Sequence, residues 1–381
     1  MNFTPSIRLA GIEKSVIRQI YDRAPADAIN LGLGEPDFPT PEVIRNQAID
    51  FIKQGKIRYS ANAGLPELRR AIAGYYGDEA KYNGVCVTNG SQEALFVALM
   101  ALINPGDEVL LPDPGFLAYP TLVRIAGGTP IFYKLPAEKK FEFDESDFKK
   151  KVSAKTRAVI ITSSSNPTGR VLKPADLKRI ADTLKDPGAI VISDEIYREL
   201  YFEARPASIA DFYSPTIVIS GLSKSHAMTG WRLGWAYGDP SVVRHLIVMH
   251  QYTTSCASTI SQRAALAAFS DEGRAANEWL RAELRSRRDF MTEMIDQKLK
   301  KELAPANSLG WIVPEGAFYL MLNVSRFGKS FEVAEKALTK KVITIPGAAF
   351  GNEAEGYLRL SFATEFKSIE DGIKRIKQAL I

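Results

Sequence analysis

The sequence predicts an α/β fold whose large domain is built on a mostly parallel seven-stranded sheet with helices on both faces. Three observations predict it. Short apolar runs rich in Val and Ile alternate with helical segments between residues 85 and 237. Polar clusters follow the ends of several of these runs. Beyond residue 258 the pattern changes to long helix and then to a few short elements, which predicts a second, smaller α+β domain.

Seven runs are predicted to be the strands of the large domain, because they are short, apolar and rich in β-branched residues. They cover residues 85–88, 108–111, 130–133, 158–162, 189–193, 216–219 and 233–237. Helical segments such as 92–103 and 174–184 lie between most of them. A helix between two strands favours parallel pairing, because it returns the chain to the end of the sheet from which the next strand starts.

The C-terminal part is predicted to begin with extended helix. Charged and apolar residues continue at helical spacing from residue 259 to 303, and this helix would link the two domains. The smaller domain would then contain a helix at 331–340 and strands at 316–322, 342–345 and 357–362. No internal repeat or low-complexity tract is visible, which argues against a solenoid.

Length and composition limit the classes of function. With 381 residues, 45% of them hydrophobic, the chain can bury a core large enough for two domains. Its net charge of +5 is small and spread without long runs of like charge, so nucleic-acid binding is not indicated. Cys86 and Cys256 give neither a disulfide framework nor a zinc spacing, and no metal site is expected. With no apolar leader and no membrane-length apolar run, we expect a cytoplasmic protein.

Lys224 lies between small residues directly after the apolar run 216–219, and Arg232 follows eight residues later. A lysine at the end of a buried strand is unfavourable unless its charge is neutralised or its amine is used, which favours Schiff-base chemistry. The alternative is a solvated lysine in a turn, and Lys224 taken alone does not exclude it.

Further polar clusters favour the interpretation that the Lys224 amine takes part in Schiff-base chemistry. Asp194, Ile196 and Tyr197 follow the run 189–193, and Asn166 follows the run 158–162. In proteins with open parallel sheets, ligands bind in the crevice outside the carboxyl ends of the strands, so we expect these clusters to meet in one crevice. A carboxylate, an amide, a phenol, a lysine and an arginine suit the pyridine nitrogen, phenolic oxygen, aldehyde and phosphate of pyridoxal 5′-phosphate.

A phosphate site is predicted where the strand 85–88 turns into a helix through Asn89, Gly90, Ser91 and Gln92. The N-terminus of a helix presents free backbone N–H groups and the positive end of its dipole to an anion. Ser223 and Arg232 would complete this site.

The chain resembles the class I/II pyridoxal-phosphate-dependent aminotransferases of fold type I, the aspartate aminotransferase superfamily. The resemblance extends over nearly the whole length, from Gly32-Leu-Gly34-Glu-Pro36-Asp-Phe38-Pro-Thr-Pro41 to Tyr357-Leu-Arg359-Leu-Ser-Phe362. Each motif alone is weak, whereas their order and spacing together are specific. The resemblance also implies that residues 1–46 form an N-terminal arm that packs with a C-terminal domain of residues 281–381, beside a large domain of residues 47–280.

The resemblance implies how the cofactor would be held. Asp194 would pair with its ring nitrogen, while Tyr197 and Asn166 would hydrogen-bond its 3′ oxygen. Phe116 would stack on one face of the ring and Ile196 would pack on the other. Asp194 would thereby keep the ring protonated and able to accept electrons.

The resemblance also implies a shared site in a homodimer, since Tyr59 would reach the phosphate bound by the neighbouring subunit. Arg359 would hold the substrate α-carboxylate, assisted by Asn166 and by the backbone of Gly34. The implied activity moves an amino group from an L-amino acid to a 2-oxo acid through a Lys224 aldimine.

Two alternative functions share parts of this pattern, and the sequence argues against the second. A carbon–sulfur β-lyase would need the same residues, and release of pyruvate and ammonia without an oxo-acid acceptor would reveal it. A non-catalytic regulator would need an added helix-turn-helix domain, for which the motifs beginning at Gly32 leave no room.

The substrate side chain is predicted from Gln92. In some similar enzymes a lysine stands there, and a neutral amide removes an obvious partner for a distal carboxylate. We therefore expect a neutral or aromatic donor, with 2-oxoglutarate as acceptor. Arg58 of the neighbouring subunit or Arg263 could still supply a second cation.

Overall fold

The computed structural model describes residues 5–186, 188–303 and 310–381, so residues 1–4 of the predicted N-terminal arm and residues 304–309 of the predicted C-terminal domain lie outside the described part. The helices are α1 Val16–Arg23, α2 Glu42–Lys53, α3 Pro66–Tyr75, α4 Ser91–Leu102, α5 Ala118–Ile125, α6 Glu145–Lys151, α7 Pro174–Leu184, α8 Pro240–Thr254, α9 Thr259–Leu266, α10 Asp271–Leu303, α11 Ser330–Thr339 and α12 Phe366–Leu380. The strands are β1 Ile29–Asn30, β2 Val85–Thr88, β3 Glu108–Asp113, β4 Thr129–Lys134, β5 Thr156–Thr162, β6 Ile190–Asp194, β7 Thr216–Gly221, β8 Gly234–Gly238, β9 Trp311–Ile312, β10 Tyr319–Asn323, β11 Val342–Ile343, β12 Ile345–Pro346 and β13 Tyr357–Ser361.

The large sheet has seven strands in the order β2-β8-β7-β6-β5-β3-β4. Neighbouring strands pair in parallel except where β8 meets β2 and β7. The prediction of a mostly parallel seven-stranded sheet is therefore confirmed, and the strand ends differ from the predicted ones by at most two residues.

The reversed direction of β8 decides which residues reach the edge of the sheet. Gly234, the first residue of β8, pairs with both Thr88 and Gly221, which end β2 and β7. A side chain does not fit at Gly234, because its Cβ would lie 2.4 Å from the backbone nitrogen of Ser91. The start of β8 and the ends of β2 and β7 thus meet at one place.

Helices cover both faces of this sheet, as predicted. Alternate residues of a strand point to opposite faces, and in β5 Ile160 packs with α4, α5 and α8 while Val159 packs with α6 and α7. A further cluster joins α2, α3 and α9 to β2 and β8.

The smaller domain is built on a four-stranded antiparallel sheet in the order β12-β13-β10-β9. Its core joins Leu320 and Leu358 of that sheet to Val333 of α11, to Ile373 of α12 and to α10. The N-terminal segment contributes to this domain through Leu31, which lies in the same core, and through β1, which pairs in parallel with β11.

Three predicted elements of the C-terminal part were wrong in their bounds. The helix predicted over 259–303 is interrupted between α9 and α10, where the Ser270 hydroxyl accepts a hydrogen bond from the Gly273 N–H at 3.1 Å. The strand predicted at 316–322 begins at Tyr319, because Ala317 has a left-handed φ of 58°. The strand predicted at 342–345 divides between two sheets as β11 and β12.

Within the described ranges, no helix is both long and apolar enough to cross a membrane.

Candidate active site

A cavity of about 240 Å³ lies where β5, β6 and β7 end and β8 begins. Twelve of the thirteen predicted site residues line it, and the thirteenth, Tyr59, does not. The twelve are Gly34, Ser91, Gln92, Phe116, Asn166, Asp194, Ile196, Tyr197, Ser223, Lys224, Arg232 and Arg359. The structure therefore brings together residues that are up to 325 positions apart in the chain (359 minus 34).

Asp194, the last residue of β6, is buried with 5% of its surface exposed. Its Oδ2 accepts a hydrogen bond from the Tyr119 hydroxyl at 2.7 Å, and its Oδ1 accepts one from the Ile196 N–H at 3.2 Å. Burial raises the pKa of the Asp194 carboxyl, while these two donors and nearby Lys224 oppose that rise. The hydrogen bonds from Tyr119 and Ile196 thus hold the carboxylate in a fixed orientation.

Lys224 follows β7 by three residues and is partly buried. Its Nζ donates a hydrogen bond to the carbonyl oxygen of Gly34 at 2.6 Å. Burial lowers the pKa of the Lys224 amine to about 8, and the charges of Arg232 and Arg359 act in the same direction, against Glu35. An amine with this pKa is neutral in a useful fraction near neutral pH, as a nucleophile or base requires.

Arg359, in the middle of β13, is 1% exposed. It donates hydrogen bonds to Asn166 Oδ1 at 2.9 Å and to the carbonyl oxygen of Gly32 at 2.5 Å, and its guanidinium lies over the Tyr319 ring. Within the described part of the chain, the Arg359 Nε has no hydrogen-bond partner. A buried cation with a spare donor is suited to bind a carboxylate.

Tyr197 and Tyr319 form a buried pair in which the two hydroxyl oxygens are 2.7 Å apart. Burial raises the pKa of both phenols, so both stay protonated and can donate at neutral pH. Tyr319 thus connects Tyr197 to Arg359 on one side of the cavity.

The predicted anion site lies at the N-terminus of α4. No side chain among the described residues caps this helix, whose N-cap Gly90 has a φ of 89°. A Cβ at Gly90 would lie 2.6 Å from the Arg232 guanidinium, so only glycine lets the arginine approach so closely. Arg232 itself has a φ of 52°, and Ser223 is buried beside it in the cavity wall.

Part of the cavity wall is apolar. Phe116 and Ile196 are the predicted stacking residues, and both line it. Leu95 of α4 and Ile17 of α1 add further apolar surface. Because α1 packs through Ile20 against the smaller domain, the N-terminal segment supplies part of the cavity wall.

Tyr59 lies on the surface of the single chain with 87% of its area exposed. Its loop is tied to the end of α8, since the Asn62 side chain donates to the Ser255 carbonyl at 2.8 Å. The end of α8 also contacts the turn before α4, since the Asn89 side chain donates to the Thr254 hydroxyl at 3.2 Å.

Sequence reasoning missed five residues that line the cavity. These are Ile17, Leu95, Tyr119, Thr162 and Tyr319. Tyr119 stands three positions after Phe116, and Tyr319 stands in a predicted strand, but neither has a motif that marks it apart from core residues. Without knowledge of the fold, only their closeness in sequence to predicted site residues could have indicated them.

The chain matches the Aminotransferase class I and II family over residues 26–376. It belongs to this family. The aminotransferase is similar to the probable aspartate aminotransferase of Methanocaldococcus jannaschii, with 36% identity over 98% of this chain and 99% of that protein. It is 34% identical to the aromatic-amino-acid aminotransferase 2 of Thermococcus litoralis, over 98% of both chains. Among solved structures, it superposes on the Thermus thermophilus aspartate aminotransferase with maleate with a TM-score of 0.92 and 30% identity, covering 99% of this chain and all of that one.

The predicted activity and cofactor are confirmed by this membership: the protein is a pyridoxal-phosphate-dependent aminotransferase of fold type I. Its cavity fits that cofactor. A buried carboxylate, an amine of lowered pKa and an uncapped helix N-terminus beside an arginine are the groups that the ring nitrogen, aldehyde and phosphate require.

Proposed function

We propose that this aminotransferase uses Lys224 as its cofactor lysine, with Asp194 at the ring nitrogen and the N-terminus of α4 at the phosphate. The observation that carries the proposal is the meeting of these groups in one cavity, although they come from separate strands and helices. Ser91, Gln92, Ser223 and Arg232 surround the phosphate end. Phe116 and Ile196 would enclose the ring, and Asn166 and Tyr197 would hydrogen-bond its 3′ oxygen.

When bound, the cofactor supplies an electron sink for the negative charge that forms when an amino acid loses its Cα proton. Lys224 takes and returns that proton with its neutral amine. The lowered pKa supports this role, because a protonated amine could not act as base. Tyr197 donates toward the 3′ oxygen while Tyr319 holds its hydroxyl in position.

Arg359 binds the substrate α-carboxylate with the help of Asn166 and the backbone of Gly34. Asn166 already orients the guanidinium at 2.9 Å, so little freedom is lost when a carboxylate arrives. A carboxylate fixed by Arg359 would orient the substrate Cα–H bond for proton loss to Lys224, which would favour loss of the proton over loss of the carboxyl group.

The preferred donor has a neutral or aromatic side chain, with 2-oxoglutarate as acceptor. Among the described cavity residues, the cations are Lys224, Arg232 and Arg359, and each already has a role. Arg263 does not line the cavity and is paired with Glu67. Ile17 and Leu95 offer apolar surface to a side chain instead. Relatives of similar identity are named for aspartate and for aromatic amino acids, so the names do not decide between these donors.

The active unit is a homodimer in the cytoplasm in which Tyr59 completes the phosphate site of the partner. The exposure of Tyr59 supports this, and so do Ile57, Val248 and Tyr252, large apolar side chains exposed on the same loop and on α8. Exposed apolar surface of this kind marks interfaces. The domain bounds 1–46, 47–280 and 281–381 belong to the same proposal.

Reduction of the purified protein with borohydride tests the site. The label from the cofactor should be fixed on the peptide that contains Lys224, and Lys224→Ala should remove the label. A label on another lysine in the wild-type protein would contradict the whole assignment. An amino-donor panel read from the cofactor spectrum then identifies the substrate.

A further inference from the structure

The contact between Tyr119 and Asp194 gives a role to a residue that the proposed mechanism has not used. Tyr119 is the second residue of α5, and it is 1% exposed. Its hydroxyl donates to Asp194 Oδ2 at 2.7 Å, and the other oxygen of that carboxylate accepts from a backbone N–H. Tyr119 is thus the side-chain donor that the described structure places on Asp194.

We propose that Tyr119 is a positioning residue that decides on which side of the contact between Asp194 and the cofactor ring nitrogen the proton rests. The proposal depends on the proposed role of Asp194. A proton shared by a carboxylate and a pyridine nitrogen lies on the more basic of the two. A hydrogen bond from Tyr119 stabilises the ionised carboxylate and makes it less basic, so the proton stays on the ring.

The surroundings make this contact effective. Both groups are buried, and hydrogen bonds to a charged group are strongest where water does not compete. Burial and the nearby carboxylate raise the pKa of the Tyr119 phenol well above its ordinary value, so it remains a donor. Burial alone would raise the pKa of Asp194, and the Tyr119 hydroxyl is the first of the groups that oppose this, ahead of the Ile196 N–H and the charge of Lys224.

Removing the hydroxyl should therefore move the proton from the ring nitrogen to the carboxylate. In Tyr119→Phe the ring would be a weaker electron acceptor, and the aminotransferase would lose kcat by about 10- to 100-fold, the range for a hydrogen bond to a charged group. KM for the amino acid should change little, because Tyr119 does not contact Arg359.

Tyr133→Phe is a matched control. Tyr133 is also buried, and its hydroxyl donates to a neutral backbone carbonyl, that of Ile160, at 3.1 Å. It loses a buried tyrosine hydroxyl without changing Asp194. If Tyr119 merely fills space and satisfies a polar group, the two variants should behave alike.

The direct measurement is the nitrogen-15 chemical shift of cofactor labelled at the ring nitrogen. We expect a protonated ring in the wild-type protein and in Tyr133→Phe, and a shift toward neutral pyridine in Tyr119→Phe. A protonated ring in all three proteins would overturn the proposal for Tyr119. A neutral ring already in the wild-type protein would instead contradict the proposed role of Asp194.

Two further measurements separate an electronic role from a structural one. With a cofactor analogue that carries carbon in place of the ring nitrogen, Tyr119→Phe and wild type should bind equally well, whereas pyridoxal phosphate should bind the variant more weakly. Equal weakening for both cofactors would show damage to the fold and overturn the proposal. Replacing Tyr119 by 3-fluorotyrosine, a stronger donor, should keep the proton on the ring, and a shift toward neutral pyridine would contradict the mechanism.

Discussion

At the scale of single residues, the cavity is built from ionisable groups that burial makes unfavourable in their charged forms. Burial raises the pKa of Asp194 and lowers the pKa values of Lys224 and Arg359. Hydrogen bonds offset part of the cost of burying all three groups, and the Lys224 amine still changes charge within the range in which the enzyme would work. Perturbed groups that meet in one cavity are typical of active sites.

The lowered pKa of Lys224 predicts a pH dependence in the full-length apoenzyme. The neutral amine is the nucleophile, so its reaction with trinitrobenzenesulfonate should increase with pH and reach half its plateau near pH 8, whereas ordinary lysines require a pH near ~10.4. Glu35→Gln should move the midpoint lower, because the charge of Glu35 raises this pKa. Peptide mapping measures the labelled fraction, and a midpoint above about 10 would contradict the prediction.

Arg359→Ala should weaken every amino-acid substrate while leaving the cofactor bound. Loss of a buried charge-assisted pair costs roughly 2 to 5 kcal/mol, so kcat/KM should fall on the order of 30-fold or more. Arg359→Lys should retain only part of the wild-type kcat/KM, since an ammonium cannot bind a carboxylate through two parallel hydrogen bonds. Spectral titration with amino acids checks this. Loss of cofactor with unchanged amino-acid affinity would place Arg359 at the phosphate instead.

At the scale of elements, α1 connects the N-terminal segment to the cavity wall. Its buried Ile20 fixes it to a cluster with Ile343, Ile345 and Phe350, and Ile17, three residues earlier, lines the cavity. Residues three apart lie on one face of a helix, so packing on the smaller domain presents Ile17 to the site.

Ile17→Lys should therefore favour dicarboxylic substrates. A lysine in the cavity wall supplies the missing cation, and the ratio of kcat/KM for aspartate to that for phenylalanine should increase by about tenfold, ~1.4 kcal/mol. Gln19→Lys is the control, since it adds the same charge to an exposed position of the same helix. If wild type already prefers aspartate by tenfold, a cation outside the three cavity cations lines the pocket, for example Arg58 of the neighbouring subunit or Arg263.

Sequence reasoning succeeded best where local signals and the fold agree. The strand ending at Asp194 and the turn from Thr88 to Ser91 were predictable, because β-branched runs and glycine turns are local. Tyr119 was not, because its importance comes from a contact 75 positions away. The break at Ser270 was missed because one serine cap interrupts a pattern that continues on both sides. The domain boundary at 280 stays a prediction, since α10 passes through it without interruption.

At the scale of the whole molecule, the exposed Tyr59 predicts that chains with different defects can complement each other. Lys224→Ala and Tyr59→Ala chains, each inactive alone, should form mixed dimers with one complete site. Random exchange of equal amounts should restore about one quarter of the wild-type activity, because half of the dimers are mixed and one of their two sites is intact. Activity after subunit exchange, with sedimentation to verify the dimer, is the measurement. A fully active monomer would refute the shared site.

The direction of β8 has a consequence for how the chain can change in length. Residues 222–233 leave the sheet and return to the same edge, and Lys224 and Arg232 both lie on this excursion. Surface loops usually tolerate insertions, because the entropy of closing a loop grows slowly with its length. Here an added residue would move Arg232, the cation proposed to bind the phosphate, relative to the amine of Lys224. Alignment gaps among active relatives should therefore fall elsewhere, while the spacing of eight residues between the two cations stays constant.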